Sequence, residues 1–139
     1  MEQGVIQIYY GDGKGKTSAA LGNAIKAASL GKTVYIIQFL KGQLDSLFLS
    51  KLEPEVKIFR FERSLECFDT LSPEKQNEEK QNILNCLNFA KKALVTGECD
   101  MLVLDEVLGV VNEGIANAED LLNVFNAKTP FEDIICTGN

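Results

Sequence analysis

Residues 6–24 read IQIYYGDGKGKTSAALGNA: a β-branched and aromatic run, a glycine- and lysine-rich turn, then small and apolar residues at helical spacing. The turn lies one residue from the phosphate-loop pattern G-x-x-x-x-G-K-[ST]. Its first glycine is Gly11 and its Gly-Lys-Thr is residues 15–17, so three residues separate the glycines instead of four. Gly11, Gly13 and Gly15 free the backbone to turn successive N–H groups inward as an anion nest. The helix that follows adds its amino-terminal donors and the positive end of its dipole. In that arrangement Lys16 reaches the phosphates, the Thr17 hydroxyl sits on Mg²⁺, and Lys14 is a second cation. Gly11, Asp12, Gly13, Lys14, Gly15, Lys16, Thr17 and Ser18 are therefore the expected nucleotide-binding stretch. The competing reading is a surface turn that imitates a phosphate cradle.

Outward from this stretch, strands and helices alternate. VIQIYY (5–10) is a strand, and from Thr17 to Gly31 the residues Ala20, Leu21, Ala24, Ile25 and Ala28 recur at helical spacing. TVYIIQF (33–39) is a second strand, LKGQ turns, and DSLFLSKL (45–52) reads as a short helix before Pro54. VKIFRF (56–61) alternates and is a third strand, nearer an edge. The longest helix spans 72–97, with Ser72 as cap, Pro73 in the first turn, Glu74 near the positive end and Gly97 as the stop. Its apolar stripe is Ile83, Leu87, Ala90 and Leu94, and its polar first half is expected to project into solvent. MLVLDEV (101–107) is a fourth strand, NAEDLLNVFNA (117–127) a helix capped by Asn117, and DIICT (133–137) a fifth strand.

This order predicts an α/β fold over residues 1–139: a single P-loop NTPase-like (RecA-like) domain with a mostly parallel sheet of about five strands and helices on both faces. Ligands in such folds sit at the carboxyl ends of the strands. The glycine loop and the pair Asp105–Glu106 both fall there. MLVLDEV fits the acidic strand that accompanies phosphate loops, with Asp105 holding magnesium through water and Glu106 orienting a nucleophile or serving the metal region. The other reading of this pair is a strand end meeting solvent. Lys41, at the end of the second strand, is either a site residue or a solvated lysine, and Thr137–Gly138 either lines the site or begins a turn. Arg60 and Arg63 are surface residues by default.

Composition narrows the function classes. A chain of 139 residues suits one domain, and no apolar run approaches the ~20 residues that cross a bilayer. The start, MEQGVIQIYY, has no basic segment of a secretory signal, so the expected location is cytoplasmic. A net charge of −6 argues against a nucleic-acid partner, which needs a Lys/Arg surplus. Cys67, Cys86, Cys99 and Cys136 form no C-x-x-C pair and read as reduced thiols. The absence of histidine removes His-based acid–base catalysis and His metal ligands.

The loop GDGKGKT with its helix SAALGNAIKAASLGK, then QFLKG, LVLDEV and IICTGN, together and in order, resemble the cob(I)alamin adenosyltransferases. More specifically they look like corrinoid adenosyltransferases of the CobA/BtuR type, against which this chain is short at its C-terminus. The resemblance implies transfer of the 5′-deoxyadenosyl group of ATP to the cobalt(I) of a reduced corrinoid, cob(I)alamin or a relative, with release of triphosphate. It also implies Mg²⁺, a reductase partner for the cobalt, and a homodimer. In that chemistry the loop clamps a departing polyanion with Lys14, Lys16 and Mg²⁺ on Thr17, and Lys16 and Glu106 are the catalytic residues. Two other readings of the same fold stay open. One is an ATPase or kinase in which Glu106 activates water or a hydroxyl; the other is a nucleotide-binding module without catalysis.

Overall fold

The computed structural model describes residues 3–10, 15–39, 55–60 and 68–138. Within them the elements are β1 (Ile6–Tyr10), α1 (Gly15–Ser29), β2 (Val34–Gln38), β3 (Val56–Arg60), α2 (Pro73–Thr96), β4 (Met101–Asp105), α3 (Val107–Asn112), α4 (Ala118–Asn126) and β5 (Asp133–Gly138). The five strands form one parallel sheet in the order β1-β5-β4-β2-β3. This is the expected α/β architecture. The helix expected over 45–52 lies outside the described residues.

All five residues of β2 and of β4 are buried, which is why these strands are near-continuous apolar runs: both of their faces are covered. β3 forms one edge of the sheet, as its alternating pattern predicts, and β1 forms the other. On one face α1 seats Ala20, Ala24 and Ala27 against Val34, Ile36, Val56, Met101, Val103 and Ile135. Small side chains on this stripe let the helix backbone come close to the strands. On the other face α2, α3 and α4 pack over Tyr35, Ile37, Phe39, Leu102, Leu104, Ile134 and Cys136. Alternate residues of each strand thus serve alternate faces.

Helix ends follow local chemistry. The Lys75 N–H donates to the Ser72 hydroxyl at 3.3 Å, Pro73 opens α2, and Gly97 closes it in the left-handed region at φ 72°. Asn117 and Asp120 form a reciprocal capping box at α4. The first half of α2 is largely exposed while Ile83, Leu87, Ala90 and Leu94 are buried, as the stripe predicts. One expectation fails. The strand read over 101–107 stops at Asp105, and Val107–Asn112 is a short helix instead. Its sequence VLGVVN is rich in β-branched residues and glycine, which favour helix poorly, so local propensity conceals it. Burial of Val107 and Val110 against the sheet outweighs that propensity.

Candidate functional site

On the α1 face of the sheet, side chains change from apolar to polar in one step toward the carboxyl ends. Ile36, Val103 and Ile135 belong to the core, and two residues further along the same strands come Gln38, Asp105 and Thr137. Gln38 stands in register opposite Asp105, and Thr137 opposite Tyr9 of β1. The three side chains are almost fully enclosed, with exposures of 1%, 1% and 0%. Only residues 11–14 separate the end of β1 from the start of α1, so the amino end of α1 lies at this same edge of the sheet.

A single hydroxyl organises the row. Thr137 Oγ1 donates to Asp105 Oδ1 at 2.8 Å and accepts the Glu106 peptide N–H at 2.8 Å. One bond orients the carboxylate; the other holds the turn that follows it. That turn places Glu106 in the left-handed region at φ 66°, which costs a non-glycine residue roughly 1–2 kcal/mol. Glu106 is half-buried, caps the start of α3 with its backbone only, and stands next to Asp105 in the chain. Beyond Thr137, a Cβ on Gly138 would fall 2.7 Å from Leu108 Cβ and 2.9 Å from the Gly109 nitrogen. Only glycine lets β5 pass so close to α3. Thr137 and Gly138, read from sequence as either site or turn, are the frame that holds the acidic elbow.

Gly15, Lys16, Thr17 and Ser18 form the first turn of α1, which carries no acidic residue to neutralise the positive end of its dipole. Gly11, Asp12, Gly13, Lys14 and Lys41 lie outside the described residues, as do the side chains of Lys16 and Thr17. α1 is tied to β1 through Asn23, whose Nδ2 donates to the Tyr9 hydroxyl at 3.3 Å and to the Ala19 carbonyl at 3.0 Å. Gln38 was not foreseen. Its signal is a single polar residue inside the buried run VYIIQF.

The two fully buried thiols take no part in acid–base chemistry. Burial pushes Cys136 up to about 12, and burial with the charges of Glu132, Asp100 and Glu98 pushes Cys99 up to about 12. Both stay protonated near neutrality. Among the described residues no cluster of three His, Cys, Asp or Glu could hold a metal by itself, and no helix is long and apolar enough to cross a membrane. A cavity of about 250 Å³ lies between α1 and the amino ends of β1, β4 and β5, lined by Val5, Asn23, Lys26, Met101 and Asp133. It is at the wrong end of the strands for the polar row, and the row is the better candidate site.

Comparison with known proteins identifies the family. The sequence model of the family described as ATP:corrinoid adenosyltransferase BtuR/CobO/CobP matches residues 2–139. The chain is 31% identical over 137 residues to the corrinoid adenosyltransferase of Escherichia coli K12, covering 99% of this chain and 68% of that protein. It is 32% identical over 140 residues to the corrinoid adenosyltransferase CobA of Salmonella typhimurium LT2, with the same coverage of both. A corrinoid adenosyltransferase of Pseudomonas aeruginosa matches at 24% identity over 140 residues, 99% of this chain and 67% of that one. Matched along nearly its whole length by the family's sequence model and by relatives more than 30% identical, the chain belongs to the ATP:corrinoid adenosyltransferase family.

Proposed function

We propose that this chain moves the 5′-deoxyadenosyl group of ATP onto the cobalt(I) of a reduced corrinoid, cob(I)alamin or a relative, and releases triphosphate. The observation that carries this reading is the buried row Gln38–Asp105–Thr137 at the strand ends beside the amino end of α1, in a chain of this family. In the reaction the cobalt(I) electron pair forms the bond to carbon 5′. The carbon–oxygen bond to the triphosphate breaks, its electrons leave on that oxygen, and the cobalt ends two electrons more oxidised. No proton has to move. A chain without histidine is suited to such a step.

The protein's tasks are then to hold a polyanion, to steady the charge that grows on the leaving oxygen, and to keep water from carbon 5′. The N–H groups of the glycine loop, the amino end of α1, Lys14 and Lys16 serve the first two. The Asp105 carboxylate, oriented by Thr137, and the Thr17 hydroxyl are hard oxygen donors of the kind that suit Mg²⁺. When bound, Mg²⁺ neutralises part of the triphosphate charge. Glu106, held in its strained turn, keeps the elbow rigid and faces the corrinoid side, and Lys41 adds charge near the phosphates. The acting form is a cytoplasmic homodimer, supplied with cobalt(I) by a reductase.

The acidic elbow also fits a second reading, an ATPase or kinase in which Glu106 activates a water or hydroxyl. The products separate the readings. Incubated anaerobically with ATP, Mg²⁺ and chemically reduced cobalamin, the protein should yield adenosylcobalamin and triphosphate in equal amounts. ADP and phosphate released at the same rate with and without corrinoid would establish the ATPase instead. Bound but unaltered ATP would leave a binding module.

A further inference from the structure

Within the polar row Asp105 and Thr137 bond each other, whereas among the described residues neither Nε2 nor Oε1 of the Gln38 side chain has a hydrogen-bond partner. Gln38 lies 1% exposed at the end of β2. The rest of that strand, Val34 to Ile37, is buried and apolar, and Phe39 after it is 0% exposed. A buried amide left without partners forfeits its hydrogen bonds to water without replacement, so an apolar residue of the same length would make a more stable strand. The amide therefore stands where stability argues against it. Its place supplies the reason: Gln38 is in register with Asp105 on the neighbouring strand and shares its face, so the two side chains stand about one strand spacing apart, roughly 5 Å. Both project to the α1 side, at the edge of the sheet where α1 begins.

We propose that the Gln38 carboxamide is a ligand-side group of this site, which takes its hydrogen bonds from the hydrated cation–triphosphate when nucleotide binds. This rests on the nucleotide reading above and deepens it. An amide carries both a donor and an acceptor, so it can bond a phosphate oxygen through Nε2 or a cation-bound water through Oε1. A carboxylate in this place would repel the triphosphate, and a lysine would duplicate the loop cations. The amide discriminates without adding charge.

The test replaces Gln38 by Met, which matches its length without polar atoms, and by Leu as a second variant should the first pack poorly. ATP binding is followed by calorimetry without corrinoid, once with Mg²⁺ and once with chelator, and melting is followed without ligand. The unliganded Gln38→Met protein should melt at the same temperature as the wild type or higher, while its affinity for ATP with Mg²⁺ falls at least about tenfold. A loss confined to the Mg²⁺ arm assigns the contact to the hydrated cation, and a loss in both arms assigns it to the phosphate. Unchanged affinity in a folded variant overturns the proposal and makes Gln38 structural, most plainly if melting falls as well. If the wild type itself binds no ATP in either arm, the nucleotide reading fails and this inference falls with it.

Discussion

The Thr137 hydroxyl serves two neighbours at once, so its loss should be felt twice. Thr137→Val preserves the shape of the side chain but removes the donor to Asp105 and the acceptor for the Glu106 N–H. At about 1–3 kcal/mol for each buried group deprived of a partner, urea unfolding should show a loss of roughly 2–6 kcal/mol. Thr137→Ser, which keeps the hydroxyl, should lose much less. Equal stability of the valine variant and the wild type would mean the two bonds are not both made. At this scale the sequence is partly legible. Asp105 and Glu106 are legible as an acidic pair at a strand end, whereas Lys16 and Thr17 are named by motif spacing alone and their side chains lie outside the described residues. Thr137 is announced only as either site or turn, and Gln38 not at all, because the place of each is set by neighbouring strands and register is invisible along a chain.

Elements are legible where their signals are local. α2 and α4 are read to within a residue because Ser72, Gly97 and Asn117 act on their own turns. α3 is missed because what makes it helical is burial of Val107 and Val110 against distant strands. α1 was found from periodicity, but its function depends on how closely it lies on the sheet. Ala24 is 0% exposed in that contact. Ala24→Leu adds three carbons to a filled space, which should cost about 1–3 kcal/mol and lift the helix. Because the loop leads directly into α1, thermal melting and ATP affinity should fall together, whereas Ile25→Leu, on the exposed side, should change neither. A stable Ala24→Leu protein with full affinity would show that the seat of α1 is looser than described.

Across the whole molecule, the two edges of the sheet are unlike. β3 carries an exposed Lys57, a charge that discourages pairing with another chain. Residues 3–10 carry none, and Val5, Ile6, Ile8 and Tyr10 are 51%, 40%, 48% and 78% exposed. An uncharged edge with apolar side chains invites a second copy, which could add its own β1 without bringing like charges together. Light scattering should give a mass above 15.3 kDa that rises with concentration. Ile8→Lys should return the protein toward the monomer while leaving its circular dichroism unchanged. A monomer at high concentration in the wild type would exclude this edge as the contact. The fold class was legible from the alternation of strands and helices, but this asymmetry was not, since strand order depends on pairings between remote segments.

β1 has β5 as its neighbour in the sheet, and the join includes a bond from the Val5 N–H to Asp133 Oδ1 across 128 residues of chain. During synthesis the segment that leads into the glycine loop thus emerges well before the strand that pairs with it. At about 5–20 residues per second it waits on the order of 6–25 seconds. Until β5 arrives, β1 lacks its neighbour in the sheet, and the Thr137 that orients Asp105 has not been made. If the strand-end row binds nucleotide as proposed, the ligand cannot guide the pairing of β2, β3 and β4, because the row lacks Thr137 until β5 is made.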